Sequence, residues 1–301
     1  MKIRDWRYAE TPAVEALYEA ERRQWLTELG WDTAEAWPEI EGARTAGRLP
    51  GLLAVDDRGS ICGWTYFLID DRVAQVGSLV GESPEATRAL VDSVVARAAG
   101  HAECVTCFSY NRAPGLEPAL AAHGFALTPY QYLSRSAPAL DPFRPDGADA
   151  WRDDDEKPAA DLLRAAYGSN GRFFAAHGLR QEWQRYVHNL VAYPGCGRFD
   201  RTATRVLRED GRMIALVMMT ALGPGVAHVA QVAVHPERRG HGLAGKLLDR
   251  ALALAHAAGR SRATLLVEEG ASTARTLYAA RGFRPCATFI AARRELHAPR
   301  T

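Results

Sequence analysis

A repeat constrains the fold of this chain more than any other sequence feature. Residues 120–125 read LAAHGF and residues 278–283 read YAARGF, an offset of 158 in the numbering. Without a gap, the same offset places Leu90 on Leu248, Ala99 on Ala257 and Val76 on Val234. Because a helix and its flanking strands recur at one spacing, the sequence predicts a duplicated domain. The 301 residues suit two domains of about 150 residues each.

The boundary between the copies is predicted from a run of helix-breaking residues. Residues 137–147 read APALDPFRPDG, with three prolines and one glycine. Such a run sustains neither a helix nor a central strand. The predicted division is therefore residues 1–137, a linker over residues 138–149, and residues 150–301.

Charge and hydropathy argue against nucleic-acid and membrane partners. The net charge of +1 and the 47% hydrophobic content indicate a globular chain without a strongly basic character. Charged residues at positions 4, 5, 7 and 10 interrupt any signal-peptide core. Residues 213–234 lack Asp, Glu, Lys and Arg, but the Gly-Pro-Gly at 223–225 predicts a hairpin there instead of a membrane helix. We expect a cytoplasmic protein.

The cysteines point to no secreted disulfide framework. There are five, an odd number with scattered spacing. Cys104 and Cys107 form a single C-x-x-C without a second pair. A buried strand is favoured there over a metal or redox site.

The most informative segment is a strand, a glycine-rich turn and a helix. Residues 228–234 alternate and are rich in valine, which predicts a strand. From Leu243 onward apolar residues recur at helical spacing. Unpaired N–H groups and the dipole at the start of that helix favour an anion. Gly240 and Gly242 allow the backbone to approach a phosphate, and Arg239 adds positive charge.

This segment resembles the GNAT superfamily of acetyltransferases. Residues 239–244, RGHGLA, fit the family signature Arg/Gln-x-x-Gly-x-Gly/Ala, which binds the pyrophosphate of acetyl-CoA. Residues 277–283, LYAARGF, resemble the last helix and turn of the family. The resemblance implies an α/β (α+β) fold of two tandem GNAT-like domains, each a mixed twisted sheet flanked by helices. The tandem arrangement resembles a bacterial type of this family, similar in architecture to mycothiol synthase.

The resemblance also implies the residues of a site for acetyl-CoA, the acyl donor. The pantetheine arm is expected on the backbone of Val232, Ala233 and Val234. The pyrophosphate is expected on the loop and the first helical turn: Arg239, Gly240, His241, Gly242, Leu243, Ala244 and Gly245. Tyr278 is expected to protonate the departing thiolate. This chain departs from the family pattern at Ala271, where the family often has a cofactor-binding asparagine. Ser272 or the backbone would make the contact with the cofactor in its place.

The general base is left open among several residues. His228 and Gln231 lie on the strand before the loop, and a bulge of the kind common in the family would bring them to one face. His228 has a suitable intrinsic pKa near 6.5, but a purely structural histidine is an equal alternative. Glu268 and Glu269 are further candidates, of which strand alternation leaves one facing inward.

The first copy is expected to lack the same chemistry. The offset of 158 places Gly81, Pro84 and Leu120 opposite Arg239, Gly242 and Tyr278. Two nearby carboxylates, at positions 82 and 85, would repel a pyrophosphate. We therefore expect a structural or substrate-shaping domain.

The predicted function is transfer of an acetyl group from acetyl-CoA to a primary amine, by direct attack in the C-terminal domain. A small-molecule amine is the expected acceptor, and one or two aromatic residues between positions 168 and 200, such as Phe173, Trp183 and Tyr186, are expected to line its site. No nucleic acid and no membrane are expected as partners, and the protein is expected to be a monomer or a homodimer. The alternatives are an aminoacyl-tRNA-dependent transferase and a non-catalytic acyl-CoA sensor.

Overall fold

The computed structural model describes residues 1–110, 112–136, 147–171, 174–175 and 177–296. The chain forms two compact units. Unit 1 comprises Met1–Glu21, Ala36–Gln131 and Ala287–Thr301, and unit 2 comprises Arg22–Glu35 and Tyr132–Cys286. These units are discontinuous in sequence, whereas the predicted domains are sequential. The greater part of the predicted linker lies outside the described residues.

The described residues form α-helices and β-strands in mixed order. The helices are α1 (Thr11–Leu29), α2 (Trp37–Thr45), α3 (Pro84–Ala98), α4 (Leu116–Ala122), α5 (Glu156–Tyr167), α6 (Arg180–Ala192), α7 (Leu243–Ala257) and α8 (Ser272–Ala279). The strands are β1 (Lys2–Asp5), β2 (Gly51–Val55), β3 (Ile61–Asp70), β4 (Val73–Gly81), β5 (Cys104–Tyr110), β6 (Ala126–Ser136), β7 (Asp149–Ala150), β8 (Arg198–Phe199), β9 (Arg205–Glu209), β10 (Arg212–Gly223), β11 (Val226–Val234), β12 (Arg262–Glu268) and β13 (Arg284–Glu295).

Unit 1 contains a mixed sheet in the order β1-β2-β3-β4-β5-β13. β4 and β5 are parallel, and the other neighbouring strands are antiparallel. α3 and α4 cover one face through apolar side chains such as Leu90, Val94 and Leu120. Ser83 caps α3 by accepting a hydrogen bond from the Ala86 N–H at 3.2 Å, and Pro84 follows at the first helical position, where its missing N–H costs nothing.

The strands of unit 2 follow the order β6-β12-β11-β10-β9-β7, with β8 paired to β10, and include both parallel and antiparallel neighbours. β10 and β11 form the predicted hairpin, with Pro224 and Gly225 between them. α7 and α8 pack on one face, against a core that includes Leu248 and Phe283. α5 and α6 pack on the other face, against a core that includes Leu163.

Each unit carries a bulge and a splayed pair of parallel strands. Gly77 in β4 and Ala230 in β11 are each left without a partner in the antiparallel register with the preceding strand. The parallel register of β4 with β5 ends at Val76, and that of β11 with β12 ends at Val229. Each bulged strand then continues past its parallel neighbour, which leaves a gap at the carboxyl end of the sheet.

The bulges show where the ungapped comparison of the two copies is wrong. β4 and β11 have the same length and match bulge to bulge, so the counterpart of Val76 is Val229 and not Val234. β5 and β12 keep the predicted offset of 158, and Leu90 in α3 and Leu248 in α7, which that offset pairs, are both fully buried. The difference lies in the connection from strand to helix, which is formed by positions 82–83 in unit 1 and positions 235–242 in unit 2. The longer loop that contains Arg239 therefore has no counterpart in unit 1.

Two further sequence interpretations bear on the fold. Cys104 and Cys107 are both buried in β5, and burial raises the pKa of the Cys107 thiol to about 12, which keeps it protonated at neutral pH. No helix within the described ranges is long and apolar enough to cross a membrane.

Candidate acetyl-CoA site

The loop after β11 presents a row of unpaired backbone donors. Its first part is tied down, because the His235 N–H donates to Ile214 O and the Arg238 N–H donates to His235 O, each at 2.8 Å. The N–H groups from Gly240 to Gly245 have no acceptor among the described residues. The first bonded donor of α7 is the Lys246 N–H, 3.1 Å from Gly242 O. Such a row of N–H groups at a helix start is an anion site.

Two glycines give this loop its shape. Gly240 and Gly242 have φ angles of +81° and +71°, in the left-handed region that L-residues with a side chain disfavour. A Cβ added to either would have no heavy atom within 4 Å. Backbone conformation, and not crowding by the protein, therefore requires glycine, and the space in front of both residues is open to a ligand.

Two cationic side chains, Arg239 and Lys246, accompany these donors, together with His241. Arg239 is exposed, and its Nη2 donates to Ala166 O at the end of α5 at 2.6 Å. His241 Nδ1 lies 2.9 Å from Arg239 O, so this nitrogen carries the proton because a carbonyl only accepts. Lys246 is exposed in the first turn of α7. No carboxylate in the described ranges pairs with Arg239 or Lys246, so their charge is available to an anion.

Gly245 has a packing role as well. A Cβ at this residue would lie 2.3 Å from Arg281 Nη2. That guanidinium donates to both carboxylate oxygens of Asp249, at 2.7 and 3.0 Å, and to Leu277 O at 3.2 Å. Gly245 therefore allows α7 to pack against the end of α8 through Arg281.

Val232, Ala233 and Val234 lie in the splayed part of β11. They follow the bulge, where β11 pairs with β10 on one side and has left its register with β12 on the other. Because backbone polar groups alternate along a strand, every second residue directs its N–H and C=O toward the gap. These are the groups that an extended amide chain can pair with.

His228 is a buried and neutral histidine. It is 2% exposed, and its Nδ1 lies 2.9 Å from Thr264 Oγ1. Since the Thr264 hydroxyl donates to Ala227 O at 3.3 Å, His228 Nδ1 is the donor to Thr264. The rings of Trp31 and Tyr132 lie 5.7 and 6.1 Å from its imidazole. Burial lowers the pKa of His228 to about 3, which makes it a weak base.

The bulge brings His228 and Gln231 to one face of the sheet. Residues 227 and 229 before it and residues 232 and 234 after it all face the core under α7 and α8, so the two polar residues share the opposite face. There Tyr167 Oη donates to Gln231 Oε1 at 2.6 Å, and Gln231 Nε2 donates to Tyr186 Oη at 2.5 Å. Tyr186 is among the aromatic residues predicted to line the site, whereas Tyr167 is not, because only the bulge turns Gln231 toward the end of α5.

Replacing Gln231 by Leu is expected to destabilise the protein. The substitution removes both hydrogen bonds to the tyrosines at a buried position, which typically costs about 1–3 kcal/mol. The free energy of unfolding from urea titrations measures this loss, with Gln24→Leu on the exposed face of α1 as the control. Equal stabilities of the two variants would contradict the hydrogen-bonded arrangement.

Tyr278 lies in the core on the α7 and α8 side of the sheet. It is 8% exposed, its ring lies 6.0 Å from that of Phe283, and burial raises its pKa to about 12. Its hydroxyl has no hydrogen-bond partner within the described ranges. In unit 1 the equivalent residue is Leu120, which carries no hydroxyl.

The remaining candidates are placed as follows. Glu268 ends β12 and Glu269 follows it, both partly buried and beyond the segment paired with β11. Ala271 precedes α8 and provides no side-chain cap. Trp183 is buried in α6, and its indole N–H has no acceptor in the part of the chain that the structure describes. Phe173 lies outside the described residues.

Known structures share this fold at low sequence identity. A GCN5-related N-acetyltransferase from Sphaerobacter thermophilus is 17% identical, with a TM-score of 0.66 over 99% of this chain and 97% of that one. A tandem GNAT protein from the clavulanic acid biosynthesis pathway is 19% identical, with a TM-score of 0.52 over 83% and 84% of the two chains. A GCN5-related glucosamine N-acetyltransferase region of a fungal multi-domain β-N-acetylglucosaminidase is 14% identical, with a TM-score of 0.64 over 97% and 38%.

Sequence comparison supplies the family. No curated protein matches the chain closely enough in sequence to count as a relative. The model of the acetyltransferase (GNAT) family matches residues 133–283, half of the chain, and this segment contains the loop, both splayed strands and Tyr278. The glycine-rich loop and the gap beside β11 thus coincide with the matched segment, and the chain belongs to the acetyltransferase (GNAT) family.

Proposed function

We propose that unit 2 transfers an acetyl group from acetyl-CoA to a primary amine. The observation that carries the proposal is the row of unpaired N–H groups from Gly240 to Gly245, beside cationic side chains that no described carboxylate neutralises. A pyrophosphate suits this site in charge and in hydrogen-bonding capacity. The open space before Gly240 and Gly242 is where such a group fits.

The splayed strand would hold the rest of the donor. The backbone of Val232, Ala233 and Val234 can pair with the amides of a pantetheine arm in the gap between β11 and β12. That arm would lead from the loop toward the bulge at Ala230. In this arrangement the thioester lies near the bulge, and backbone N–H groups of β11 stabilise negative charge on its carbonyl oxygen.

The reaction forms a C–N bond to the amine and breaks the C–S bond of the thioester. One proton leaves the nitrogen, and one arrives at the sulfur. Tyr278 would direct its hydroxyl at the sulfur as the C–S bond breaks. Because the pKa of Tyr278 is raised to about 12, it stays protonated at neutral pH and stabilises the developing thiolate as a hydrogen-bond donor.

The amine has to arrive neutral, and we propose that solvent water takes its proton. His228, with a pKa lowered to about 3, is too weak a base for this step near neutral pH. Gln231 has no basic group and would position the acceptor through Tyr167 and Tyr186. In this view His228 and Gln231 shape the site without carrying the proton.

This assignment predicts the pH profile of the reaction. We expect kcat/KM to rise about tenfold per pH unit from pH 6 to 8, because the neutral fraction of an amine with a pKa near 10 rises by that factor. No break is expected near pH 6.5, and His228→Asn should keep the same slope. A plateau above pH 7 that disappears in His228→Asn would instead identify His228 as the base.

The acceptor proposed is a small-molecule amine. The polar groups beside the bulge are neutral tyrosine and glutamine side chains, next to the aromatic ring of Trp183. These groups suit an amine with an apolar or aromatic body. A cytoplasmic monomer or homodimer remains our proposal for the form in which the protein acts.

An amine panel tests the proposed function. Release of free CoA thiol from acetyl-CoA is followed with primary amines of increasing apolar size, with the matching tertiary amines as controls. We expect turnover with some primary amines and none with the tertiary ones. Binding of acetyl-CoA without turnover of any amine would favour an acyl-CoA sensor, and binding of aminoacyl-tRNA in its place would favour a tRNA-dependent transferase.

A further inference from the structure

Unit 1 contains an ionisable group that the proposed reaction does not use. Glu21, in α1, accepts a hydrogen bond from Ser78 Oγ at 3.3 Å. Within the described ranges no cationic side chain pairs with this carboxylate. The adjacent cation in the sequence, Arg22, is bound to Asp32 at 2.6 Å. Burial raises the pKa of Glu21 to about 7, as expected for a carboxylate without a counter-ion.

The position of Glu21 matches a functional position of unit 2. Ser78 follows the bulge of β4 just as Gln231 follows the bulge of β11, so the two residues are equivalent when the strands are matched bulge to bulge. In both units a side chain from the helix covering this face bonds to the residue after the bulge: Glu21 in unit 1 and Tyr167 in unit 2. The pair is neutral in unit 2 and carries an ionisable carboxyl in unit 1.

A cluster of aromatic rings packs around Tyr18, which precedes Glu21 by three positions in α1 and therefore lies on the same face of that helix. The rings of Tyr18 and Trp64 are 6.4 Å apart, those of Trp64 and Tyr66 are 5.9 Å apart, and those of Tyr18 and Trp37 are 5.0 Å apart. Burial raises the pKa of Tyr66, and the negative charge of Glu21 raises it further, so the two groups lie within electrostatic reach. Trp37 and Tyr66 are partly exposed.

Gly77 leaves room for the ring of Tyr66 at the bulge of β4. A Cβ at Gly77 would lie 2.1 Å from the ring of Tyr66. The ring of Tyr66 therefore lies directly against the bulge at Gly77, whose counterpart in unit 2 is Ala230. A partly accessible carboxylate without a counter-ion beside aromatic rings is a pattern that recognises organic cations, through charge and cation–π attraction.

We propose that unit 1 binds a small organic ammonium ion at Glu21, against the rings of Tyr18 and Tyr66. The site needs no acetyl-CoA, because unit 1 lacks the loop found at residues 235–242 of unit 2. The ammonium ion supplies the counter-charge that the carboxylate lacks. This binding is independent of the acetyl transfer proposed for unit 2.

Tetramethylammonium is the probe for this site, because its charge does not change with pH. Saturation-transfer NMR on its methyl signal, with the full-length protein, gives the Kd, and tert-butanol serves as the neutral analogue of similar size. We expect saturable binding at pH 8, binding about tenfold weaker at pH 6 because a carboxyl with a pKa of about 7 is then mostly protonated, and no saturable binding of tert-butanol.

Two variants with the same change in charge complete the test. Glu21→Gln should weaken binding by tenfold or more, on the order of a lost charge-assisted contact. Glu15→Gln, on an exposed position of α1, should leave it unchanged. Melting curves establish that both variants fold. Absence of saturable binding to wild type, equal binding by Glu21→Gln, or equal binding at pH 6 and 8 would each overturn the proposal.

Discussion

Gly242→Val is expected to abolish the stabilisation of the protein by acetyl-CoA. Gly242 precedes α7 with a φ of +71°, and a β-branched residue there costs about 1–2 kcal/mol if it keeps that conformation. If the introduced valine instead adopts a negative φ, the N–H groups of the loop no longer point together toward one bound anion. For a wild-type Kd near 10 µM, 1 mM acetyl-CoA adds about 2.7 kcal/mol of stability, which raises Tm by roughly 5–10 °C.

Gly259→Val provides the matched control for this prediction. Gly259 follows the other end of α7, has a φ of +84°, and a Cβ there would also have no heavy atom within 4 Å. Both variants should lose similar intrinsic stability, whereas only Gly242→Val should lose the shift on adding acetyl-CoA. If acetyl-CoA raised the Tm of Gly242→Val as much as that of wild type, the ligand would bind elsewhere.

Tyr278→Phe is expected to lower kcat about a hundredfold, because removal of one donor that faces developing charge costs on the order of 10²–10³. The hydroxyl has no hydrogen-bond partner within the described ranges, so its removal should leave Tm nearly unchanged. The Kd for acetyl-CoA should also be unchanged, since the hydrogen bond forms as the C–S bond breaks. Steady-state thiol release with an amine identified by the panel measures the effect.

Tyr193→Phe is the control for Tyr278→Phe, because Tyr193 is 51% exposed. This substitution also removes a tyrosine hydroxyl, and it should leave kcat unaltered. A kcat for Tyr278→Phe within threefold of wild type would remove Tyr278 from the chemistry and leave it as a core residue.

The local parts of the fold were predictable from the sequence. Alternation and helical spacing identify β11 and α7, and the Gly-Pro-Gly turn identifies the hairpin of β10 and β11. The bulge in β11, whose presence the sequence alone did not decide, lies at Ala230. These features depend on periodicity and turn residues within about 20 positions, and the sequence displays both directly.

The non-local parts were not predictable by the same reasoning. Trp31 lies far from the predicted second domain in sequence, yet its ring contacts His228. β13 pairs with β5 of unit 1 from Phe289 onward, although its residues were assigned to the second domain. Strand pairing and packing at such separations leave no periodic signal in a single sequence.

The ionisation of the site residues also depended on the structure. The ordinary pKa of a histidine made His228 a candidate base, and its burial removes that property. For Glu21 the structure reveals a titratable group that the sequence did not indicate, because nothing in the spacing of α1 identifies a carboxylate without a counter-ion. In both cases the environment that sets the charge comes from segments distant in the sequence.

Calorimetric titration of acetyl-CoA into the wild-type protein and into the Arg239→Ala, Gly242→Pro double variant decides whether the loop of unit 2 binds the acyl donor. We predict one site per chain, because the described connection at positions 82–83 of unit 1 is too short to form the loop. The Kd should lie in the micromolar range, or about −8 kcal/mol, and the site should be lost in the double variant. No binding by the folded wild type, or two equivalent sites, would contradict the account.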